Sequence, residues 1–424
     1  MQQYKRRQPA YKLSIKRRCF SFNADQRIKS KLLQKNILHL YQLIRSGRVL
    51  SDGRLHGRLS RLLKVMMITY LKGIVEPVVN LPPTAARYRT IDSFTNDQCW
   101  NFFETRKEDL PRLLKGLRFP DKVVFNNGGV MSGEECMLRG LYELVSGTDQ
   151  YEIAENVFGR DQPTQSRAFS YFINHIYDNF LDLLTNNLDW WYNNGYMRQS
   201  MEAIKAKIGG SAAFTTCAFI DCNCLETSRP GGGPSEDGPD AERWDRRIQM
   251  AFYNGWKCIL GLKHQTIDCA FGMTMHMFGP LSLRQSDLKL LRQSDVNNTL
   301  RQLQLGQPQQ LTIYGDSIYP RLSHVCSSYR NSIATDAQKL ENRRYASVRI
   351  SIEWNYAATS NIYGYVKQLH KLKLLGGPKT TRVYTVATLL RNCHVAMYGS
   401  ETSYYFNTSL PPSFLEKYLR VPGF

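Results

Sequence analysis

The sequence predicts a mixed α/β core preceded by a long all-helical region. Three observations carry this expectation. From about residue 30 to 205 the apolar residues recur at helical spacing. Between 211 and 316 they form short runs rich in β-branched and aromatic residues, punctuated by Gly, Pro and acids, as strands are. From about 337 the helical spacing returns. A chain of 424 residues leaves room for two or three domains. The division read from these changes is a basic N-terminal tail over 1–30, a helical domain over 31–205, an α/β domain over 211–400 and a C-terminal tail over 401–424.

The N-terminal tail has no acid before Asp25 and carries Lys-Arg-Arg at 5–7 and again at 16–18. Clustered basic residues of this kind read as a nuclear-import signal or a nucleic-acid arm, and a disordered basic tail is compatible with both. An Arg-rich, acid-poor start also resembles an organellar transit segment; clustering rather than dispersal of the charges favours the nucleus. The whole chain has 56 Lys and Arg against 36 Asp and Glu, a net charge of +20. Such an excess concentrates polyanions at the surface, so double-stranded DNA is the expected partner. No apolar run reaches the roughly 18 residues of a membrane span, and no apolar signal segment opens the chain, so neither a membrane protein nor a secreted one is expected. Ten cysteines lie scattered without a CxxC pair, which argues against a zinc finger and leaves Cys222 and Cys224 as a weak CxC.

In the helical region, Leu59, Leu62, Leu63, Met66, Met67 and Tyr70 share one face of a helix. Arg54, Arg58, Arg61 and Lys64 follow at i+3 or i+4 on another face, a stripe suited to DNA phosphates or to plain solvation. Further on, "SGEECMLRGLYELVSG" opens with a capping pattern, Ser132 and Glu135, and stops at Gly147. A short helical segment ending at Gly159 follows, then a longer helix with Pro163 in its first turn. Its apolar face is Phe169, Ile173, Ile176, Tyr177, Phe180 and Leu184. The segment 131–185 thus has the dimensions of a helix-turn-helix. In such a unit the N-terminal side chains of the second helix reach base edges, here Thr164, Gln165, Ser166 and Arg167. Many helical hairpins of this size bind nothing.

In the α/β region, "AAFTTCAFID", "KCILGLKHQTID", "AFGMTMHMF" and "LTIYGD" are successive strands, with a helical stretch near 287–305 before the last. A Gly, Pro and acid-rich loop covers 228–246. Two strands end on a carboxylate, Asp221 and Asp316. Singly, each reads best as a turn residue. Repeated in the same context, they read as ligands held rigidly at the rim of a sheet. Mg²⁺ takes oxygen ligands, commonly one or two carboxylates and substrate phosphate. Two such ions stabilise the attacking and leaving oxygens of a phosphodiester, which explains small acidic islands in a basic, DNA-handling chain. A third acid is needed, and Asp336, Glu341, Glu353, Glu401 and Glu416 are available. Around Glu353 the pattern fits a strand and a helix equally, so spacing leaves the choice open.

At this point the motifs resemble the endonuclease domain of Harbinger/PIF-type transposases, a DDE superfamily. "AFIDCN" resembles the first-Asp motif and "YGDSIYP" the second, Gly-Asp-x-x-Tyr-Pro. The stretch from Phe252 to Leu291 resembles the intervening block, with its late acid at Asp287. "VRISIEW" resembles the third motif, in which Glu rides on a helix, and "VATLLRNCHVAMYG" the closing helix. The region 131–180 is similar to the helix-turn-helix that precedes the nuclease. The resemblance covers 211 to about 400.

What it implies is an RNase H-like fold, a mixed five-stranded sheet flanked by helices, behind an all-α domain. It implies Asp221, Asp316 and Glu353 as catalytic residues and ligands of two divalent ions, Mg²⁺ or Mn²⁺, with Asp287 behind them. The implied reaction cleaves transposon ends and joins the 3′-OH to target DNA. A Myb-like accessory protein for end recognition or nuclear import is implied as well, and pairing two DNA ends calls for a homodimer or higher assembly. A domesticated derivative that binds DNA without cutting is the alternative. Two departures concern auxiliary roles: Cys222-Asn223-Cys224 stands where Gly-Thr-His is common, and Ser286 where His commonly precedes the late Asp.

Overall fold

The computed structural model describes residues 90–423, apart from 154–156, 211–213, 230–246, 248, 309, 331 and 375–378. These residues belong to one compact unit, Ala85–Phe424. The basic tail and the stripe of Arg54, Arg58, Arg61 and Lys64 lie outside the described residues.

Helices α1 (Asn96–Phe103) and α2 (Leu110–Gly116) lead into a small hairpin of β1 (Lys122–Val124) and β2 (Val130–Ser132). Helix α3 (Gly133–Ser146) begins where the sequence predicts: Ser132 caps it, its side chain accepting from the Glu135 N–H at 3.1 Å, and Gly147 ends it at φ +62°. The Glu135 carboxylate does not return to the cap. It turns inward to Arg139 and Arg160, both at 2.9 Å. A one-turn helix α4 (Gln150–Ile153) precedes α5 (Gln162–Phe180), with Pro163 in the first turn. The expected apolar face of α5 is buried at Phe169, Ile173, Ile176 and Phe180, joined by Phe172. Its ring lies where a Cβ at Gly140 would collide at 2.0 Å, so the two helices meet at a glycine. Helices α6 (Asp182–Thr185), α7 (Leu188–Asn193) and α8 (Tyr196–Ile208) complete this part.

Six strands then form one mixed sheet. Strand β3 (Thr216–Glu226) lies between β5 (Ile259–Cys269), antiparallel to it, and β7 (Thr312–Tyr314), parallel to it. Strand β6 (Thr274–Ser282) continues the sheet beyond β5, and β8 (Val325–Cys326) beyond β7. The implied five strands are these; the sixth, β4 (Tyr253–Asn254), is a two-residue pairing on β5. Helices α9 (Asp287–Ser294) and α10 (Val296–Leu303) connect β6 to β7. After β8 come α11 (Asp336–Arg349), α12 (Ser351–Ile362) and α13 (Lys379–Tyr398). The ambiguous stretch around Glu353 is therefore helical, broken once at Ile350.

Residues 401–423 are not the tail the sequence suggests. Helices α14 (Glu401–Tyr405) and α15 (Phe414–Tyr418) fold back, burying Phe406, Phe414, Leu415, Tyr418 and Leu419. Their apolar character, rather than their position in the chain, decides this. One hydrophobic core runs from Ile91 through the sheet to Val421, so the expected boundary near 205–211 falls within a shared core. No helix among the described residues is long and apolar enough to cross a membrane.

Candidate active site

The candidate site is built on the middle of the sheet. Register places Phe219 of β3 beside Tyr314 of parallel β7, so Asp221 and Asp316, two residues beyond each, lie at one level. Asp316 follows the end of β7, but Asp221 does not end its strand as expected: β3 continues to Glu226, held by its pairing with β5. Parallel pairing thus brings together two acids far apart in sequence. Gly315 fits tightly before Asp316: a Cβ there would meet the Tyr319 ring at 2.5 Å and Ile220 at 3.0 Å. Tyr319 is buried, with its hydroxyl 3.5 Å from Cys222 Sγ. Tyr319 of the Tyr-Pro pair is therefore a packing residue of the site. Its ring plugs the space beneath Gly315 and ties the Asp316 loop to the strand carrying Asp221. Asp316 is also a turn residue, its Oδ1 accepting from the Ile318 N–H at 3.0 Å. That bond holds one carboxylate oxygen and fixes the side chain.

Asp221 is more enclosed, its side chain 19% exposed. Its Oδ1 accepts from the Cys222 N–H at 2.7 Å, and its Oδ2 accepts from Arg349 Nη1 at 3.0 Å. Burial, with smaller contributions from the negative charges of Asp316 and Asp287, pushes its pKa up to about 6; the Cys222 N–H and Arg349 oppose this. Glu353 lies in the first turn of α12, 58% exposed, with Oε1 at 3.7 Å from Arg349 Nη2. The same guanidinium therefore stands between the first and third acids.

Strand β5 positions α12. It is almost wholly buried yet polar at Lys263, His264, Gln265, Thr266 and Asp268. Buried polar groups require partners, and most of these serve as ties between elements. Thr266, directly opposite Asp221 in register, meets the Tyr356 hydroxyl at 2.8 Å. Asn355 Nδ2 donates to Asp268 Oδ2 at 2.9 Å, and the Thr402 hydroxyl donates to Asn355 Oδ1 at 2.9 Å. Two of these ties hold α12 within a turn of Glu353. On the other face of the sheet, Lys263 Nζ donates to Asp287 Oδ1 at 2.6 Å. Asp287, expected behind the acids, thus has a lysine as its partner and acts on Asp221 only through its charge. At the departures from the expected motif, Asn223 Nδ2 donates to the Tyr384 hydroxyl at 2.5 Å, and Ser286 caps α9 without a side-chain bond.

The four residues expected to read bases have different environments. Gln165 is fully buried: its Oε1 accepts from Arg139 Nη1 at 3.0 Å and its Nε2 donates to Glu143 Oε2 at 3.0 Å. It cannot present an edge to DNA, and that expectation is corrected. The register of the apolar face, one turn earlier than Phe169, already turns position 165 inward. Thr164, Ser166 and Arg167 are partly exposed, and Arg167 Nη2 donates to Thr164 Oγ1 at 3.1 Å.

Arg349, Thr266, Asn355 and Asp268 escaped the sequence reading. Arg349 had a signal, since it lies four residues before Glu353 and so on the same helical face. The others are ordinary core positions until the sheet pairing is known. The acids supply oxygen donors, the chemistry that Mg²⁺ or Mn²⁺ requires. Among the described residues no three His, Cys, Asp or Glu side chains already gather as a ligand set; the guanidinium of Arg349 supplies the positive charge between two of them.

Comparison with known proteins gives no match among curated proteins and none among solved structures. Residues 239–392, well under half of the chain, match the family model described as DDE superfamily endonuclease. The stretch includes Asp316 and Glu353 and begins after Asp221, and the mixed sheet flanked by helices fits such a nuclease domain. The match supports a DDE transposase family for this chain.

Proposed function

We propose that the protein is a transposase of the Harbinger/PIF type, a nuclease that cuts DNA phosphodiester bonds at transposon ends and joins the 3′-OH to target DNA. Asp221, Asp316 and Glu353 are its catalytic acids. The observation that carries this reading is the juxtaposition of Asp221 and Asp316 on adjacent parallel strands, with Glu353 tied to Asp221 through one arginine. Folding alone gives no reason for three acids here, because Asp221 is held ionised against its burial.

The Cys222 N–H orients Asp221, and the Ile318 N–H orients Asp316. The second oxygen of Asp221 is held by Arg349. Thr266–Tyr356 and Asp268–Asn355 hold the helix that presents Glu353. Divalent ions bound by these acids, two in this reading, would supply Lewis-acid chemistry, activating the attacking oxygen and stabilising the leaving one. The net charge of +20 retains the DNA backbone that bare acids would repel. Thr164, Ser166 and Arg167 remain proposed contributors to DNA contact, and so do Arg54, Arg58, Arg61 and Lys64. Action in the nucleus, a Myb-like accessory protein and pairing of two ends by a dimer or larger assembly complete the proposal.

The test is Asp316→Asn. The amide oxygen can still accept from Ile318 N–H, so the turn persists while the charge is lost. Mg²⁺- or Mn²⁺-dependent strand cleavage should disappear and DNA retention should remain. Failure of the unaltered protein to cut its cognate ends with either ion would overturn the reading in favour of a domesticated DNA-binding protein.

A further inference from the structure

Both oxygens of Asp221 are already engaged, one by its neighbour's N–H and the other by Arg349 at 3.0 Å. The guanidinium also reaches Glu353 at 3.7 Å. It is not a loose surface arm. Its side chain is 25% exposed, and it sits in the last turn of α11, one turn after Tyr345. Tyr345 is buried, stacked on Tyr314 at 4.0 Å, with its hydroxyl 2.9 Å from the Thr216 hydroxyl. Those contacts anchor α11 to the two strands that carry the aspartates. The break at Ile350 then starts α12, so Arg349 and Glu353 lie on either side of a helix junction. The sequence thus places a fixed positive group between two acids that need one.

We propose that Arg349 is the built-in counter-cation of the site: it holds Asp221 and Glu353 together before a divalent ion binds, and the ion takes its place. This rests on the proposed nuclease reading of the acids and adds a positioning residue to it. A divalent ion that uses Asp221 Oδ2 competes with the guanidinium for the same oxygen, because two cations cannot share it without repulsion. The ion therefore binds against the Arg349–Asp221 pair, and cation affinity is set partly by how firmly α11 holds that side chain. The opposite arrangement, in which Arg349 stays and orients Asp221 as a ligand, predicts the opposite sign on removal.

The experiment titrates Mn²⁺ into the full chain without DNA and follows free Mn²⁺ by its EPR signal. Arg349→Gln keeps a polar, uncharged side chain, two bonds shorter, and removes the charge; it should bind Mn²⁺ roughly tenfold tighter, about 1.4 kcal/mol. Arg349→Lys should restore affinity to within a few-fold of the unaltered protein, which a purely structural loss would not do. Circular dichroism identifies any variant that has lost the fold. Equal or weaker binding by folded Arg349→Gln overturns the proposal. If Asp221→Asn abolishes Mn²⁺ binding in that same series, the nuclease reading survives. If neither the unaltered protein nor Arg349→Gln binds Mn²⁺, both fall.

Discussion

Replacing Asp221 by Asn should make the protein more stable, in the absence of divalent ions, while removing its proposed chemistry. The magnitude follows from the burial of the carboxylate. Its pKa rises from an ordinary 3.8 to about 6, and one pH unit corresponds to about 1.4 kcal/mol, so ionisation costs the native state about 3 kcal/mol at neutral pH. Asn keeps the acceptor for the Cys222 N–H and removes the charge. The raised pKa already contains the opposing pull of Arg349. The net gain is therefore about 3 kcal/mol, or roughly 4 °C in Tm for a unit of this size. The sign of the pH dependence is fixed by the raised pKa. The contribution of Asp221 to stability is complete below 3.8 and is lost as pH rises through about 6. Urea unfolding in EDTA should therefore show nearly equal midpoints at pH 4 and a higher midpoint for Asp221→Asn at pH 7.5. An Asp221→Asn protein less stable than the original at pH 7.5 would refute the reasoning, because it would make Asp221 a stabilising acid of the ordinary kind.

Two further substitutions test the supports of the site and the corrected expectation. Asn355→Ala removes a buried partner of the Asp268 carboxylate and of Thr402, and should cost about 2–3 kcal/mol in urea unfolding; a loss below 0.5 kcal/mol, on the order of an exposed substitution, would contradict the tie between α12 and β5. Gln165→Ala should cost about 1–3 kcal/mol by breaking the Arg139–Gln165–Glu143 contacts, with DNA affinity of the folded protein unchanged; a selective loss of sequence preference without loss of stability would restore Gln165 as a base reader.

Local signals were legible where one element determines them. The cap at Ser132, the stop at Gly147 and the apolar face of α5 depend on neighbours within a turn or two. The strand running up to Asp316 was legible for the same reason, whereas the strand expected to end at Asp221 runs on to Glu226, paired with β5. What placed the two acids together was the parallel pairing of β3 with β7, which no local pattern encodes. Glu353 shows the limit from the other side. Period 2 and period 3.6 fitted equally, and the helix was settled by partners on β5, Thr266 and Asp268, more than 80 residues earlier. Gln165 misled because residue type and position at a helix start suggested reading, whereas Arg139 and Glu143 on α3 supplied buried partners. The C-terminal residues misled because they follow the last resembling motif, although their aromatic and leucine content demanded a core.

The most direct measurement is the anomalous scattering of Mn²⁺ bound to the crystalline protein. The account predicts peaks at the rim of the sheet within coordinating distance of Asp221 and Asp316, with Glu353 completing a shell and the Arg349 side chain withdrawn from Asp221 Oδ2. Mn²⁺ bound elsewhere, or Arg349 still paired with Asp221 under saturating Mn²⁺, would contradict it.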